Sequence, residues 1–451
     1  MGNEIIFKRK IYDKILEWKN SPLHNSALLI EGARRIGKST IVEKFAKDEF
    51  GDNYIMIDFR KEGDDVKKLF NDIKNLDAFF SMLFLSQNKV LKEGGLIIFD
   101  EIHFCPKARE CIKDFVQDGR FYFIETGSLI SIKENTQDIM IPSEERRINM
   151  YPMDFEEFLW AYEDNKAFNI LKNIVSNHEN LDKSIHGKYL EKFRTYMVIG
   201  GMPKVLSIFL ETNSFKLAND VKLDILELYR DDLRKYDKKY DTICGLIFDS
   251  IPTQLAKTNK RFVIKSIKDK ERYNQISKSL DDLCDFKIIN RINGVSTLEA
   301  PLGLKQKEDQ FKLYFCDTGL LFSKLIAVSD ESMNEVYFKF IIGKKIMNMG
   351  SLFESIVVQQ LVNENLILYF HKYQIANENN ISKYELDLVT EKNFKVFAFE
   401  IKSSKTYTTS SLDNIKKKYP QLKVKRYVLG IKNLSYDSDK ITLPIYLANS
   451  F

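Results

Sequence analysis

The chain has no run of about 18 uninterrupted apolar residues, the length a helix needs to cross a bilayer, so no membrane-spanning helix is expected. Cysteine is scarce. The five residues are odd in number, and Cys105 and Cys111, with five residues between them, have no matching pair elsewhere. That pattern implies neither a disulfide framework nor a zinc site, and it suits a reducing cytoplasm. Strong charge of either sign is also missing: the net charge is +5 over 451 residues. A balance so small argues neither for nor against nucleic acid, and only local clusters can. The opening MGNEIIFKRKIYDKILEW alternates charged and apolar residues and lacks the apolar core of a signal peptide. Its Met-Gly start is a weak lipidation signal, because Ile6 stands where such a motif wants Ser or Thr.

What is present is ordinary for a globular chain: 44% hydrophobic and 29% charged residues. Single cores stop growing at about 250–300 residues, so a chain of 451 residues is expected to form three or four units.

The strongest signal lies early. Ala27 to Ile30 reads as a short buried strand that runs into Gly32-Ala33-Arg34-Arg35-Ile36-Gly37-Lys38-Ser39-Thr40, and a helical pattern from Ile41 follows. This is a Walker A loop in the strand–loop–helix setting it requires. Gly32 and Gly37 let backbone amides and a helix N-terminus face phosphate. Lys38 can reach the β- and γ-phosphates, and Ser39 can ligate Mg²⁺. A second element, Leu96 to Phe99 followed by Asp100-Glu101, reads as a central parallel strand ending at the ligand crevice. Taken alone, its two acids could equally be solvated strand-end groups. Beside a Walker A loop they read as a Mg²⁺ holder, Asp100, and a carboxylate that polarises the attacking water, Glu101. Tyr54 to Asp58 and Phe121 to Thr126 read as further strands. A polar residue ending the last of these would sit beside the γ-phosphate, with Thr126 the first choice and Ser128 the second. Strand-end turn chemistry accounts for Thr-Gly-Ser equally well.

The segments EGARRIGKST, LIIFDEIHFCPKARE, ETGSLI, MYPMDFEEFLWA and GGMPKVLSIFLE resemble the prokaryotic AAA-type ATPases of uncharacterised role. Those proteins carry a C-terminal domain of unknown function similar to the restriction-endonuclease, PD-(D/E)xK, fold. The resemblance runs over nearly the whole chain and departs at His103, where that family usually has Gln. It implies ATP, adenine rather than guanine, as the nucleotide. It also implies an arginine completing the site from a neighbour, hence an oligomer. Arg146 and Arg147 are the candidates, although a surface pair bridged to Glu144 and Glu145 explains them as well. Arg34 and Arg35 could supply charge in cis instead.

Read with this resemblance, the chain is α/β. It divides into a P-loop AAA core with a parallel sheet over residues 1–165, a helical lid over 166–220, a winged-helix module over 221–345 and a C-terminal restriction-endonuclease-like α/β domain over 346–451. In the third segment, Asp224 to Lys239 reads as a charge-laced, solvated connector. Short helices at Ile247–Thr258, Val263–Lys268 and Glu271–Cys284 precede a hairpin turning at Asn293-Gly294, the order of a winged helix-turn-helix. Lys257, Lys260, Arg261, Lys265, Lys268, Lys270 and Arg272 against Asp269 and Glu271 make a local positive patch. Asp281, Asp282 and Asp285 would repel phosphate. DNA contact and protein docking both remain open.

In the last segment a helix carrying Glu354 is followed by three strands that carry Asp387, Glu400 and Lys402. The resemblance makes Asp387 and Glu400 holders of a second Mg²⁺ or Mn²⁺, with Lys402 orienting water and Glu354 in support. Glu400 and Lys402 share a face by the period of a strand. A cross-strand ion pair on a solvated face is the alternative. Two functions follow: an ATP-driven enzyme whose tail cuts or binds DNA, or an ATP-operated switch whose tail is catalytically silent.

Overall fold

The computed structural model describes residues 5–22, 26–127, 143–236, 243–257, 260–264, 273–326, 333–343, 349–377 and 380–451. Ser128, Lys265, Lys268, Lys270 and Arg272 lie outside them. The chain is mixed α/β and separates into two compact units. The first comprises Met1–Tyr151, Asp231–Lys239 and Asp285–Lys287, and the second holds the rest.

In the first unit, β1 (Ala27–Glu31), β2 (Tyr54–Asp58), β3 (Leu96–Asp100), β4 (Tyr122–Thr126) and β5 (Glu145–Asn149) form one sheet in the order β2-β3-β4-β1-β5. Every pairing is parallel. β1 and β3 are buried at all five positions, as strands covered on both faces must be. Helices Lys38–Phe50, Leu76–Ser86 and Ile112–Asp118 connect them. One face is sealed by a phenylalanine cluster that includes Phe59, Phe70, Phe79, Phe99, Phe115 and Phe123. Phe115 stacks on Phe123 at 5.3 Å. Each such ring removed from water stabilises the fold by about 1.5–3 kcal/mol, so this layer fixes the sheet whose strand ends carry the site. The parallel order brings the C-terminal ends of β3, β4 and β1 to one edge of the sheet, with β4 between the other two, and loops bearing chemistry issue there.

The second unit opens with helix Phe155–Ala161, started by a capping box in which Asp154 and Glu157 satisfy each other's backbone N–H groups. Its sheet has eight strands in the order β12-β13-β11-β10-β9-β8-β6-β7. These are β6 (Ile289–Val295), β7 (Gln306–Phe315), β8 (Leu368–Asn377), β9 (Asn380–Lys392), β10 (Lys395–Lys402), β11 (Val424–Gly430), β12 (Ser435–Tyr436) and β13 (Ile441–Pro444). Helix Met349–Asn363 packs on it.

Two expectations change here. The chain does not turn at Asn293-Gly294. β6 runs through that pair with a bulge and finds its antiparallel partner in β7 instead. Its other edge pairs in parallel with β8, so Gly294 sits under Phe370, which a Cβ would approach to 3.1 Å. An Asn-Gly pair marks a turn only when nothing claims both sides of the strand. The helix Phe215–Tyr236 is not a solvated connector either. Lys222, Ile225, Leu226, Tyr229, Asp232 and Leu233 are buried along one stripe. Its charges hid an apolar face of helical period.

Candidate functional site

The Walker A loop leaves β1 and enters helix Lys38–Phe50. Gly37 begins that helix at φ 91° and ψ 29°, a left-handed conformation that glycine adopts without steric cost. A Cβ on Gly32 would meet the Met150 carbonyl and come within 2.5 Å of Ile36 Cδ1. Arg9, which the sequence did not single out, pins the loop from outside it. Its guanidinium donates to the carbonyls of Ile36 and Tyr151, each at 2.7 Å. Lys38 folds back, and its ammonium donates to the carbonyls of Gly32 at 3.0 Å and Ala33 at 2.8 Å. Burial lowers its pKa to about 8 despite the nearby charges of Glu101 and Asp100.

Across the crevice, Ser39 Oγ donates to Asp100 Oδ1 at 2.8 Å. The Thr126 hydroxyl donates to the same oxygen. Thr126 is 1% exposed, so it orients Asp100 from beneath. Glu101 follows at φ 52° and ψ 49°, an uncommon conformation for a residue with a side chain. Burial raises the Glu101 pKa, and Lys38 opposes that. His103 Nδ1 lies 3.4 Å from Glu101 Oε2. Burial, followed by the charges of Arg34 and Lys38, lowers the His103 pKa to about 4, so its ring is neutral near pH 7. A Ser hydroxyl, an Asp carboxylate and a buried ammonium at a glycine-freed helix start suit a magnesium–polyphosphate pair.

The arginines divide. Arg34 Nη1 donates to both oxygens of Asp232, at 2.7 and 2.8 Å. Arg35 is exposed at φ 68°. Arg146 is exposed on the edge strand β5. Arg147 turns back to Glu145, Nε to Oε1 at 2.7 Å. Glu145 also takes both a 2.9 Å bond from Arg109 Nε and one from Nη2. Arg109 is 2% exposed, and fully buried Glu125 lies 3.8 Å from it. Burial and the charge of Glu145 push the Glu125 pKa well up. The sequence pattern offered only the bridge from Arg147 to Glu145, because the other members come from a helix and from β4, which β1 separates from β5 in the sheet.

In the second unit, Glu354, Asp387, Glu400 and Lys402 come from helix Met349–Asn363, β9 and β10. Most of their carboxylate oxygens are already engaged, although Glu400 Oε2 is buried without a hydrogen-bond partner. Glu354 accepts from Lys260, from Lys312 at 2.8 Å and from Tyr314 at 2.5 Å. Burial alone would raise its pKa, but the two ammoniums hold it at about 2. Asp387 Oδ2 accepts the Ile401 N–H at 2.8 Å. Burial, together with the Glu354 charge, raises its pKa to about 6. Lys402 Nζ donates to Glu400 Oε1 at 2.6 Å. Among the described residues, no group of three His, Cys, Asp or Glu is gathered closely enough to hold a metal ion. Of the basic patch, Lys257, Lys260 and Arg261 are described, and Lys257 is exposed. Lys260 serves Glu354, and Arg261 donates to the Asp309 carbonyl at 3.2 Å.

Comparison with known proteins agrees with the first unit. Residues 24–159 match a family described as an AAA domain, which supports ATP, with Mg²⁺, as the ligand of a P-loop ATPase. Residues 190–332 and 349–448 match two domains of unknown function, DUF8612 and DUF4143. The chain is 26% identical over 230 residues to the uncharacterized protein MJ1544 of Methanocaldococcus jannaschii. That match takes in 51% of this chain and 45% of the relative, so it spans about half of each. The structure of C. elegans PCH-2 overlaps 45% of this chain and 59% of that one at 11% identity. Its TM-score of 0.23 is too low to carry an argument. Among the described residues, no helix is long and apolar enough to cross a membrane.

Proposed function

We propose that the chain is a Mg²⁺-dependent ATPase whose site is built by Gly32 to Thr40, Asp100, Glu101 and Thr126. The observation that carries this is the 2.8 Å bond from Ser39 to Asp100. It brings a P-loop hydroxyl and a strand-end carboxylate to one point, and those two oxygens would hold the metal. Magnesium would neutralise charge between the β- and γ-phosphates. The loop amides and Lys38 bind the triphosphate. Glu101, next after Asp100 at the end of β3, positions a water in line with the γ-phosphorus. The water oxygen forms a bond to that phosphorus, and the bond to the β–γ bridging oxygen breaks with its electron pair left on ADP. The water's proton passes by way of Glu101 to phosphate or solvent. Thr126 keeps Asp100 aimed, and neutral His103 lies beside Glu101. Steady-state ATP hydrolysis by the full chain tests this reading. Unchanged turnover in Glu101→Gln would remove it.

For the second unit we favour the switch, with a catalytically silent tail, over a nuclease acting on DNA. The supporting observation is Glu354, whose oxygens are taken by Lys260, Lys312 and Tyr314. Two ammoniums do there what a bound divalent cation would have to do. The test uses the full chain carrying Asp100→Asn, so that the first site does not contribute. Mn²⁺ is titrated and followed by electron paramagnetic resonance, and DNA cleavage is assayed alongside. Tight Mn²⁺ binding that disappears on adding Glu400→Ala, with cleavage, would restore the nuclease reading.

A further inference from the structure

We propose that Arg34, inside the P-loop, supplies the positive charge that meets the γ-phosphate during hydrolysis, and that Asp232 competes with the phosphate for it. This deepens the ATPase reading and rests on it. Arg34 stands two residues after Gly32 and four before Lys38, within the loop that would wrap the phosphates. Asp232 lies in the Asp231–Lys239 segment, which groups with the first unit although it is nearly two hundred residues further along the chain.

Three observations converge. First, the Asp232 side chain is 7% exposed and that of Arg34 31%. The acceptor is therefore enclosed by protein, and the donor still reaches solvent. Second, both hydrogen bonds to Asp232 run from one nitrogen, Nη1, not from the parallel fork that makes arginine–carboxylate pairs strongest. A polyphosphate carries several negative charges against one on Asp232, and it offers the planar guanidinium that fork. Third, the guanidinium charge is felt inside the site. Behind the larger effect of burial, it adds to the lowering of the Lys38 and His103 pKa values and opposes the rise at Glu101. Arg147 is paired with Glu145, and Arg146 is exposed on the edge strand β5.

The chemistry needs no further reactant. As the γ-phosphoryl group parts from ADP, negative charge grows on its equatorial and bridging oxygens, and Arg34 donates to those oxygens after leaving Asp232. Asp232 then keeps its own charge near the loop and draws the arginine back after phosphate departs. A charge supplied in cis also makes turnover per chain independent of protein concentration.

The experiment measures kcat and KM for ATP, and Mg-ATP affinity by calorimetry, in the full chain and in Asp232→Asn, Arg34→Lys and Arg34→Ala. Thermal unfolding of each variant checks that it folds. Loss of one donor to a transition state costs about 100-fold or more in kcat. Arg34→Ala is therefore expected to lose about that much, with affinity changed less than about tenfold. Arg34→Lys should recover only part of the rate, because an ammonium lacks the planar fork. Asp232→Asn, which releases the guanidinium, should raise kcat several-fold. Wild-type kcat in Arg34→Ala, or equal losses in Arg34→Ala and Asp232→Asn, would overturn the proposal and leave the pair as a structural tie. Absence of Mg-ATP binding by the unmodified chain would overturn the ATPase reading beneath it, and is distinguishable because it appears before any variant is made.

Discussion

Two sets of carboxylates in this molecule, one at the end of β3 and one centred on helix Met349–Asn363, differ in what already touches them. Asp100 is met by hydroxyls, Ser39 and Thr126. Hydroxyls orient a carboxylate and leave its charge unspent, so a cation still gains by approaching. Glu354 is met by two lysines and a tyrosine, and its charge is cancelled inside the protein. Both sites carry residue types suited to a metal. Only the first keeps the electrostatic reason for one.

The contrast can be broken at its strongest point. On the proposed mechanism Glu101 aims the water, so Glu101→Gln should lower kcat by about 100- to 10,000-fold, the usual worth of general-base catalysis, while Mg-ATP binding by calorimetry is retained. Lys38→Ala strikes the ground state instead. Loss of charged hydrogen bonds worth about 1.5–3 kcal/mol should weaken Mg-ATP binding by about 10- to 100-fold.

The same kind of change in the second unit should cost stability and leave ATP turnover alone. Lys312 and Glu354 are 1% and 2% exposed, and breaking a buried pair strands a charge. Lys312→Met should destabilise the unit that holds it by about 3 kcal/mol in urea unfolding. Acid makes the same point without a mutation. The Glu354 pKa is about 2 in the folded chain and about 4.3 unfolded. Its contribution is therefore complete above about 4.3 and is lost as pH falls toward 2. If acid unfolding of the second unit shows no such window, the two sites are less different than their contacts imply.

The smallest effect belongs to the nucleotide side. Phosphate needs the protonated Lys38 amine, whose free pKa is about 8. Below that value the amine carries its proton with or without ATP, and affinity is flat. Above it, binding must take up a proton, so affinity should fall by up to about tenfold per pH unit. Calorimetry between pH 7 and about 9.5 reads this directly, and Lys38→Arg should abolish the slope, since Arg keeps its charge throughout.

Much of the first unit was legible because its signals are local. The glycines of 32–39 sit beside their lysine in sequence, and an apolar run ending in Asp100-Glu101 names a covered strand before any fold is known. Thr126 was legible as a strand-end hydroxyl but not in its role, because its bond to Asp100 crosses from β4 to β3. The second unit was legible as elements and not as chemistry. The helix and strands bearing Glu354, Asp387, Glu400 and Lys402 are where their patterns put them, yet Lys312 and Tyr314 read as ordinary strand residues and Lys260 as part of a surface patch.

The sequence by itself determined the class of the chain, the phosphate-binding loop and its paired acids, since backbone conformation there follows from glycine placement and strand periodicity. Tertiary structure alone decided which charges remain available. It set Asp232 against Arg34 and two lysines against Glu354. A charge is spent or kept according to what lies within a few ångströms of it, and those neighbours come from segments tens to hundreds of residues away.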